Sequence, residues 1–224
     1  MEPSFDQAQF DNTSYTEMVR KLAKAPAALL LSRTPSKQCM LNQAQSFAAT
    51  AEELQTCLDE ILEHHELHDS LDGIRFGQWL HWEHMVYALA GEAAGEMRDA
   101  IKRHVIYEKE LDVAYKGEPS IATNIKEEAG DCTFYIEGAR QFCSHADFAH
   151  FWSSIPDAEW AQGKALELLK TCEEKLETLL ALVVPGYTVA DAMMDNKLKL
   201  IGPNGRYRGV VYSDAAAIER ADKK

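Results

Sequence analysis

The stretch LELLKTCEEKLETLLALV, residues 166–183, decides the fold class of this chain. Its apolar side chains return every three or four positions, at Leu169, Leu176, Leu180 and Val183 among others, and charged side chains fill the polar side. This period is typical of an amphipathic helix with one buried face. A Pro-Gly pair at 185–186 follows and ends the pattern.

The same helical period extends over most of the chain. It recurs over residues 54–67, and clusters of proline or glycine interrupt it at 33–37, 116–120, 154–157, 184–187 and 201–205. The short segment 209–213 is the one strand-like piece in the sequence. We therefore predict an all-α protein with about six or seven helices.

Two helix starts carry a capping signal. Asn124 followed by Glu127 has the spacing of a capping box and predicts a helix that begins near residue 125. Thr188 followed by Asp191 repeats the signal after the Pro-Gly pair. Both predict that a polar side chain accepts a hydrogen bond from an unpaired N–H in the first turn.

The composition limits the partners and the location. The 224 residues include 36 acidic and 23 basic side chains, a formal net charge of −13, which argues against nucleic acid as a main partner. A bound divalent cation can reverse the local sign, so phosphorylated small molecules stay compatible. No apolar run approaches the roughly 18–20 residues of a membrane helix, and no signal segment is evident. The five scattered cysteines form no CxxC pair, so we expect reduced thiols and a cytoplasmic protein.

Two segments concentrate carboxylates among small residues. In residues 88–99, Glu92 and Glu96 are four apart, so they lie about 40° apart on one helix face. In residues 125–135, Glu128 and Asp131 are three apart, about 60° around the helix. Neighbouring glycines and alanines let two helices approach closely, and the four carboxylates could then converge on one point.

Converging carboxylates repel one another unless a cation joins them. One pair at 4 Å interacts by roughly 4 kcal/mol at an effective dielectric of 20. All-oxygen ligands suit Mg²⁺ or, as an alternative, Mn²⁺, and such an ion shares its coordination with substrate phosphates. The residues leave one alternative open, because two acidic faces in a very acidic protein can also be simply solvated.

These residues resemble a known family. Residues 89–96 and 126–136 are similar to the paired acidic motif of the MazG-like nucleotide pyrophosphohydrolases, the all-α NTP pyrophosphatases. Residues 41–50 resemble the family's first helix, and residues 99–102 its basic stretch. Asn196, Lys199, Arg206 and Tyr207 resemble its C-terminal signature, which is common in phage-type members.

The resemblance implies a single domain over residues 1–224. It consists of a four-helix core bundle with an N-terminal extension over 1–40 and an inserted helical hairpin over 138–187 that turns around residues 152–156. The family usually completes its site by dimerisation, so the resemblance also implies a homodimer with no membrane or nucleic-acid partner.

The implied reaction is hydrolysis of a nucleoside triphosphate between its α and β phosphates, giving the monophosphate and pyrophosphate. Glu92, Glu96, Glu128 and Asp131 would hold Mg²⁺, and a metal-bound water would attack the α-phosphorus. The catalytic residues would be Glu127 and Glu128. The implied substrate-binding residues are Lys102, Asn196, Lys199, Arg206, Tyr207 and Trp82.

The first acidic pair departs from the family's Glu-x-x-Glu pattern by one extra residue. A π-bulge near residues 93–95 would absorb that residue and keep both carboxylates directed inward. Without the bulge, only one glutamate of this helix would coordinate the metal. Residues 201–205 also separate Lys199 from Arg206, which leaves the reach of Arg206 open.

Aromatic and histidine side chains precede the acidic motif. Trp79 and Trp82 are candidates to stack on a nucleobase, with core packing as the other interpretation, and His81 and His84 are candidates to hydrogen-bond a base or phosphate. Two further functions stay open. One is a catalytically silent helical module that binds a nucleotide or a protein, and the other is the same enzyme class acting on an alarmone or another unusual nucleotide.

Overall fold

The structure, a computed structural model, describes residues 34–64, 73–114, 117–203 and 205–207, together with Ser14 and Met18. The side chains of residues 58 and 62–64 are not part of this description. The predicted strand-like segment 209–213 lies outside the described residues, as does most of the predicted extension. Within the described ranges the protein is helical and contains no strand, which confirms the all-α prediction.

Seven α-helices are found in the described part of the chain, in agreement with the predicted number. A π-helical segment, Glu92–Met97, joins α2 to α3 without a break, and a 3₁₀ turn, Ala146–Phe148, precedes α5. The α-helices are α1 Pro35–His64, α2 Gly73–Gly91, α3 Arg98–Tyr107, α4 Ile121–Ser144, α5 Ala149–Trp152, α6 Ala158–Val183 and α7 Val189–Ile201.

The first helix begins earlier than the predicted boundary at residue 40. Thr34 precedes it, and the Thr34 hydroxyl accepts a hydrogen bond from the Lys37 N–H at 3.3 Å. Pro35 occupies the first helical position, where its missing N–H costs nothing because that donor would have no partner inside the helix. Residues 35–40 therefore belong to the helical bundle.

Four long helical rods enclose the core: α1, the continuous rod from α2 to α3, α4, and α6. α1 packs mainly on α6, and α4 packs on both α2 and α6. The core side chains between them include Phe47, Leu89, Ile125, Leu169 and Leu176, each fully buried. α7 lies against α4 at one side of this bundle.

The predicted insertion over 138–187 is therefore part of the bundle. Its second helix, α6, buries Leu169, Cys172, Leu176 and Leu180 in the common core. The chain does turn between α4 and α6 near residues 152–156, as predicted for the hairpin. A hydrogen bond also joins α6 to α1, because the Lys175 ammonium donates to the Ser46 carbonyl at 3.2 Å.

The two capping predictions have opposite outcomes. Thr188 and Asp191 form a complete capping box at the start of α7, which confirms that prediction. The prediction of a helix start near residue 125 is wrong, because α4 begins at Ile121 and its cap is Ser120. The Ser120 hydroxyl accepts from the Thr123 N–H at 3.2 Å. Asn124 lies inside the first turn.

None of the described helices combines the length and the apolarity that a bilayer span needs.

Candidate functional site

Three elements bring the acidic residues together. The π-helical segment carries Glu92, α4 carries Glu127, Glu128 and Asp131, and α7 approaches α4 beside them. We call these four carboxylates the acidic cluster. They come from both segments in which the sequence concentrates carboxylates among small residues.

The π-helical segment is the bulge that the extra residue between Glu92 and Glu96 predicts. It spans Glu92–Met97, buries Ala93 and Met97, and confirms the predicted irregularity. It does not direct both carboxylates inward, however. Glu92 is half-buried beside Glu128 and Asp131, whereas Glu96 is exposed and contributes its negative charge to the raised pKa of Glu92.

Small residues contribute to the close packing differently from the prediction. At Gly130 of α4, an added Cβ would lie 3.1 Å from Asn196 Cβ and 3.3 Å from the Ala192 carbonyl oxygen, so this glycine lets α7 approach. Gly91 and Gly95 have open space around them. The π-helical segment instead meets the bundle through Ala93, which is fully buried, as is Ala129 on α4.

Glu92 and Glu128 form a destabilised acidic pair. Burial raises the pKa of Glu128 to about 7, and the negative charges of Glu92, Asp131 and Glu127 add to the shift. Burial also raises the pKa of Glu92, with further contributions from Asp131 and Glu96. The two side chains share a hydrogen bond, and Glu92 Oε2 is buried without a partner among the described residues. Ionising both carboxyls would break the shared hydrogen bond and place two negative charges side by side, so a cation would stabilise the ionised pair.

Asp131 has the opposite environment, because α7 supplies it with donors. Lys199 Nζ lies 2.9 Å from Asp131 Oδ1 and 2.8 Å from Oδ2, and Asn196 Nδ2 donates to Oδ1 at 2.8 Å. Lys199 also lies 3.3 Å from Glu127 Oε1, and its side chain is only 16% exposed. Asn196 itself is buried.

The chain after α7 folds back over the site. The Arg206 N–H donates to the Lys199 carbonyl at 3.1 Å, and the Tyr207 N–H donates to the Leu200 carbonyl. Gly205 allows this close return, because a Cβ there would lie 2.7 Å from the Gly202 backbone nitrogen. This return places Arg206 at the lining of a cavity that Glu92 and Asp131 also line, so Arg206 does reach the acidic cluster.

A cavity of about 510 Å³ opens beside the acidic cluster. Six of the residues that the sequence analysis names as candidates line it: His84, Glu92, Asp131, Asn196, Arg206 and Tyr207. Met85, Phe134, Tyr135 and Leu200 also line the cavity and were not predicted. Phe134 and Tyr135 follow Asp131 by three and four positions and so share its helix face, which is the signal that could have identified them. The Tyr135 ring meets His84 edge-on at 6.1 Å.

Two predicted substrate-binding residues have other surroundings. Trp82 is 1% exposed and packs on Phe142 at a ring distance of 4.9 Å, so the prediction that it stacks on a nucleobase is wrong and the core interpretation holds. Trp79 is likewise buried. Lys102 forms an ion pair with Asp99 one turn earlier on the same helix.

The donor chemistry fits a hard divalent cation that is shared with a ligand. Among the described residues, no group of three or more His, Cys, Asp or Glu side chains is arranged to hold an ion by itself. Mg²⁺ usually takes only one or two protein carboxylates and completes its shell with waters and substrate phosphates. Glu92 and Glu128, with one buried carboxylate oxygen lacking a partner, meet that smaller requirement.

Comparison with known proteins adds no relative. Searches against protein-family models, curated proteins and solved structures find no significant match to this chain. The assignment to the MazG-like family therefore stays a prediction that rests on the motif residues.

Proposed function

We propose that this protein is an Mg²⁺-dependent nucleoside triphosphate pyrophosphohydrolase that cleaves an NTP or dNTP to the monophosphate and pyrophosphate. The observation that carries the proposal is that Glu92, Asp131 and Arg206 line one cavity, while Lys199 pairs with Asp131 next to it and the pKa values of Glu92 and Glu128 are raised. Carboxylates that can bind a divalent cation, beside positively charged side chains that can bind phosphate, suit a metal–triphosphate ligand. The resemblance of the motif residues to the MazG-like family supports the same conclusion.

The residues that would hold the metal are Glu92, Glu128 and Asp131, with Glu96 at the exposed edge. Bound there, Mg²⁺ would neutralise the carboxylates and polarise the phosphate oxygens. Mn²⁺ offers the same oxygen preference and serves as an alternative ion.

The protein's own residues account for substrate binding. Arg206 presents a planar guanidinium that can contact two phosphate oxygens at once, and Lys199 supplies a second positive charge. Asn196 and Tyr207 line the same cavity and would orient the phosphates or the sugar. Lys102 pairs with Asp99, so we assign it at most a role outside this cavity.

Glu127 is the general base of this proposal. Water would attack the α-phosphorus, the bond from that phosphorus to the bridging oxygen would break, and pyrophosphate would leave. The proton released by water would pass to the Glu127 carboxylate, whose Oε1 lies 3.3 Å from the Lys199 ammonium. We further propose a cytoplasmic homodimer, as the family resemblance implies.

A nucleotide panel tests the proposal most broadly. Purified protein is incubated with Mg²⁺ and each NTP, dNTP and an alarmone, and pyrophosphate and orthophosphate are measured separately. We expect pyrophosphate from at least one nucleotide. The double variant Glu128→Gln plus Asp131→Asn should lose at least about 100-fold in rate, because it removes two carboxylates of the cluster.

Glu167→Gln is the matched control, because Glu167 is exposed on α6. This variant should retain wild-type activity. Full activity in the double variant would exclude the proposed metal ligands, and orthophosphate as the first product would exclude cleavage between the α and β phosphates.

One observation favours the second candidate, a silent nucleotide-binding module. Lys199 and Asn196 already satisfy both oxygens of Asp131, as in a site where a fixed ion pair has replaced a metal. Calorimetry separates the two candidates. Nucleotide binding that needs no Mg²⁺ and yields no pyrophosphate across the panel would establish the module.

A further inference from the structure

Lys199 has the position that a cation would take in the acidic cluster. Its ammonium contacts both oxygens of Asp131, at 2.9 and 2.8 Å, and lies 3.3 Å from Glu127 Oε1. The side chain is mostly withdrawn from water, so these attractions are screened less than at the surface. Lys199 therefore neutralises one half of the cluster.

The other half of the cluster receives less of this compensation, because the charge of Lys199 lowers the pKa of Glu92 less than burial raises it. Glu92 Oε2 has no hydrogen-bond partner among the described residues, and burial raises the pKa of both Glu92 and Glu128. Asn196, one turn before Lys199, holds Asp131 Oδ1 at 2.8 Å and so fixes the side of the cluster that faces α7. The cluster is thus divided into an aspartate held by two donors of α7 and a glutamate pair in which Glu92 Oε2 lacks a partner among the described residues.

A metal on Asp131 and the observed position of Lys199 exclude each other. A divalent cation coordinated by Asp131 would stand a few ångströms from the ammonium, where the two positive charges repel. Lys199 has room to leave, because it also lines a second cavity of about 250 Å³ with Thr123, Lys126 and Asn196. Its flexible four-carbon stem allows such a rotation without movement of α7.

We propose that Lys199 is an internal counter-cation that a divalent metal displaces from Asp131, and that the released ammonium then binds anionic oxygens of the ligand. The inference rests on the metal-dependent function proposed above. It makes metal binding and anion binding mutually favourable, because each removes Lys199 from a competing partner. By thermodynamic reciprocity, both ligands experience the same coupling.

Mn²⁺ binding to the nucleotide-free protein tests this role without measuring activity. Free Mn²⁺ is quantified by electron paramagnetic resonance for the wild type and for Lys199→Met. Removing the competing charge should tighten Mn²⁺ binding by about tenfold or more, within the range of coupled sites. Lys199→Arg keeps the charge and should bind Mn²⁺ within about twofold of the wild type.

Lys197→Met is the matched control, because Lys197 is exposed on the same helix and loses the same charge. We expect it to change Mn²⁺ affinity by less than about twofold, since an exposed charge is screened by salt. Circular dichroism verifies the fold of each variant, and Lys199→Gln replaces Lys199→Met if the methionine variant does not fold.

The outcomes separate the inference from the function on which it rests. If the wild type binds Mn²⁺ but Lys199→Met binds it no more tightly than Lys197→Met does, the counter-cation role is wrong and the proposed function stands. If neither the wild type nor any Lys199 variant binds Mn²⁺, both the role and the metal-dependent function are wrong.

Discussion

The titration of Glu128 couples the free energy of unfolding to pH within the range from pH 4 to pH 8. Its pKa is raised from the usual 4.5 to about 7 by burial and by the neighbouring carboxylates. A carboxyl with a raised pKa in the native state contributes stability below pH 4.5, and this contribution is lost as the pH rises through about 7. The metal-free protein should therefore become less stable between pH 5 and pH 8.

Glu128→Gln should remove this loss. At pH 8 we expect the variant to be more stable than the metal-free wild type by about 1–2 kcal/mol, a figure reduced from the full shift because Glu128 keeps some contact with water. The difference should fall toward zero at pH 4, where the wild-type carboxyl is protonated. Urea unfolding at both pH values measures it.

The control for this prediction is Glu167→Gln, which should change the free energy of unfolding by less than about 0.5 kcal/mol at either pH. A pH profile of Glu128→Gln that runs parallel to that of the wild type would contradict the raised pKa.

Much of the site could be predicted at the level of residue types, because carboxylates among glycines and alanines are conspicuous in a sequence. Which of these carboxylates face inward, and which of them pair with a cation, could not be predicted. Whether Glu92 or Glu96 faces inward depends on how the π-helical segment is placed, and the pairing of Asp131 with Lys199 depends on a contact across 68 positions of sequence. The burial of Trp82 likewise follows from the packing of α2 on α4, which sequence spacing does not fix.

Among the elements, α7 packs extensively on α4 and approaches it closely at Gly130. A Cβ at Gly130 would lie 3.1 Å from Asn196 Cβ, and the backbone carbonyl of Ala192 is nearly as close. Gly130→Ala should destabilise the protein by about 1–3 kcal/mol, as overpacking usually does. It should also weaken the hydrogen bond from Asn196 to Asp131. Amide hydrogen exchange in α7, measured without metal, should then be faster than in the wild type.

Gly163→Ala on α6 is the matched control for this substitution. Nothing lies within 4 Å of its added Cβ, so we expect a gain of about 0.5–1 kcal/mol from the better helix propensity of alanine. If both variants change stability in the same direction, the close approach of α7 at Gly130 is wrong.

The capping box of α7 supports the same element from its other end. The Thr188 hydroxyl accepts from the Asp191 N–H at 3.2 Å, and the Asp191 carboxylate accepts from the Thr188 N–H at 2.9 Å. Thr188→Ala should cost about 1 kcal/mol of unfolding free energy. Thr188→Ser, which keeps the hydroxyl, should cost clearly less in the same urea titration.

Local chemistry explains why one helix start could be predicted and the other could not. Thr188 and Asp191 match the capping-box pattern and follow a Pro-Gly break, so sequence and structure agree. Ser120 also follows a break, but its third helical position is Thr123, which cannot complete the box. The pattern at Asn124 and Glu127 was therefore more conspicuous than the true start. At that start, the Ser120 hydroxyl alone accepts the hydrogen bond of the Thr123 N–H.

On the scale of the whole molecule, the fold is a helical bundle that concentrates its unfavourable charge at one place. The class was predictable because the 3.6-residue period runs through nearly every described segment. The role of residues 138–187 was not predictable from the resemblance, because a segment without a counterpart in the minimal family can still supply a core helix. α6 does so, with eight buried side chains against its neighbours.

A bound metal should stabilise this bundle as a whole. At pH 8, Mg²⁺ at ten times its dissociation constant should add about 1.4 kcal/mol, by the linkage of binding to unfolding. That corresponds to a rise in melting temperature of about 3–6 °C for a chain of this size. The rise should shrink at pH 5, because protons compete for Glu92 and Glu128. A sample with NaCl at the same ionic strength, and without Mg²⁺, is the control.

The most direct test of the central claim is a pH titration of the Glu128 side-chain carboxyl carbon by NMR, with and without Mg²⁺. Without metal, the claim predicts a pKa of about 7. With saturating Mg²⁺, the pKa should fall below its usual 4.5, because the ion favours the ionised form. A carboxyl that titrates near 4.5 in both samples would show that Glu92 and Glu128 do not form a cation-demanding pair, and it would contradict the account.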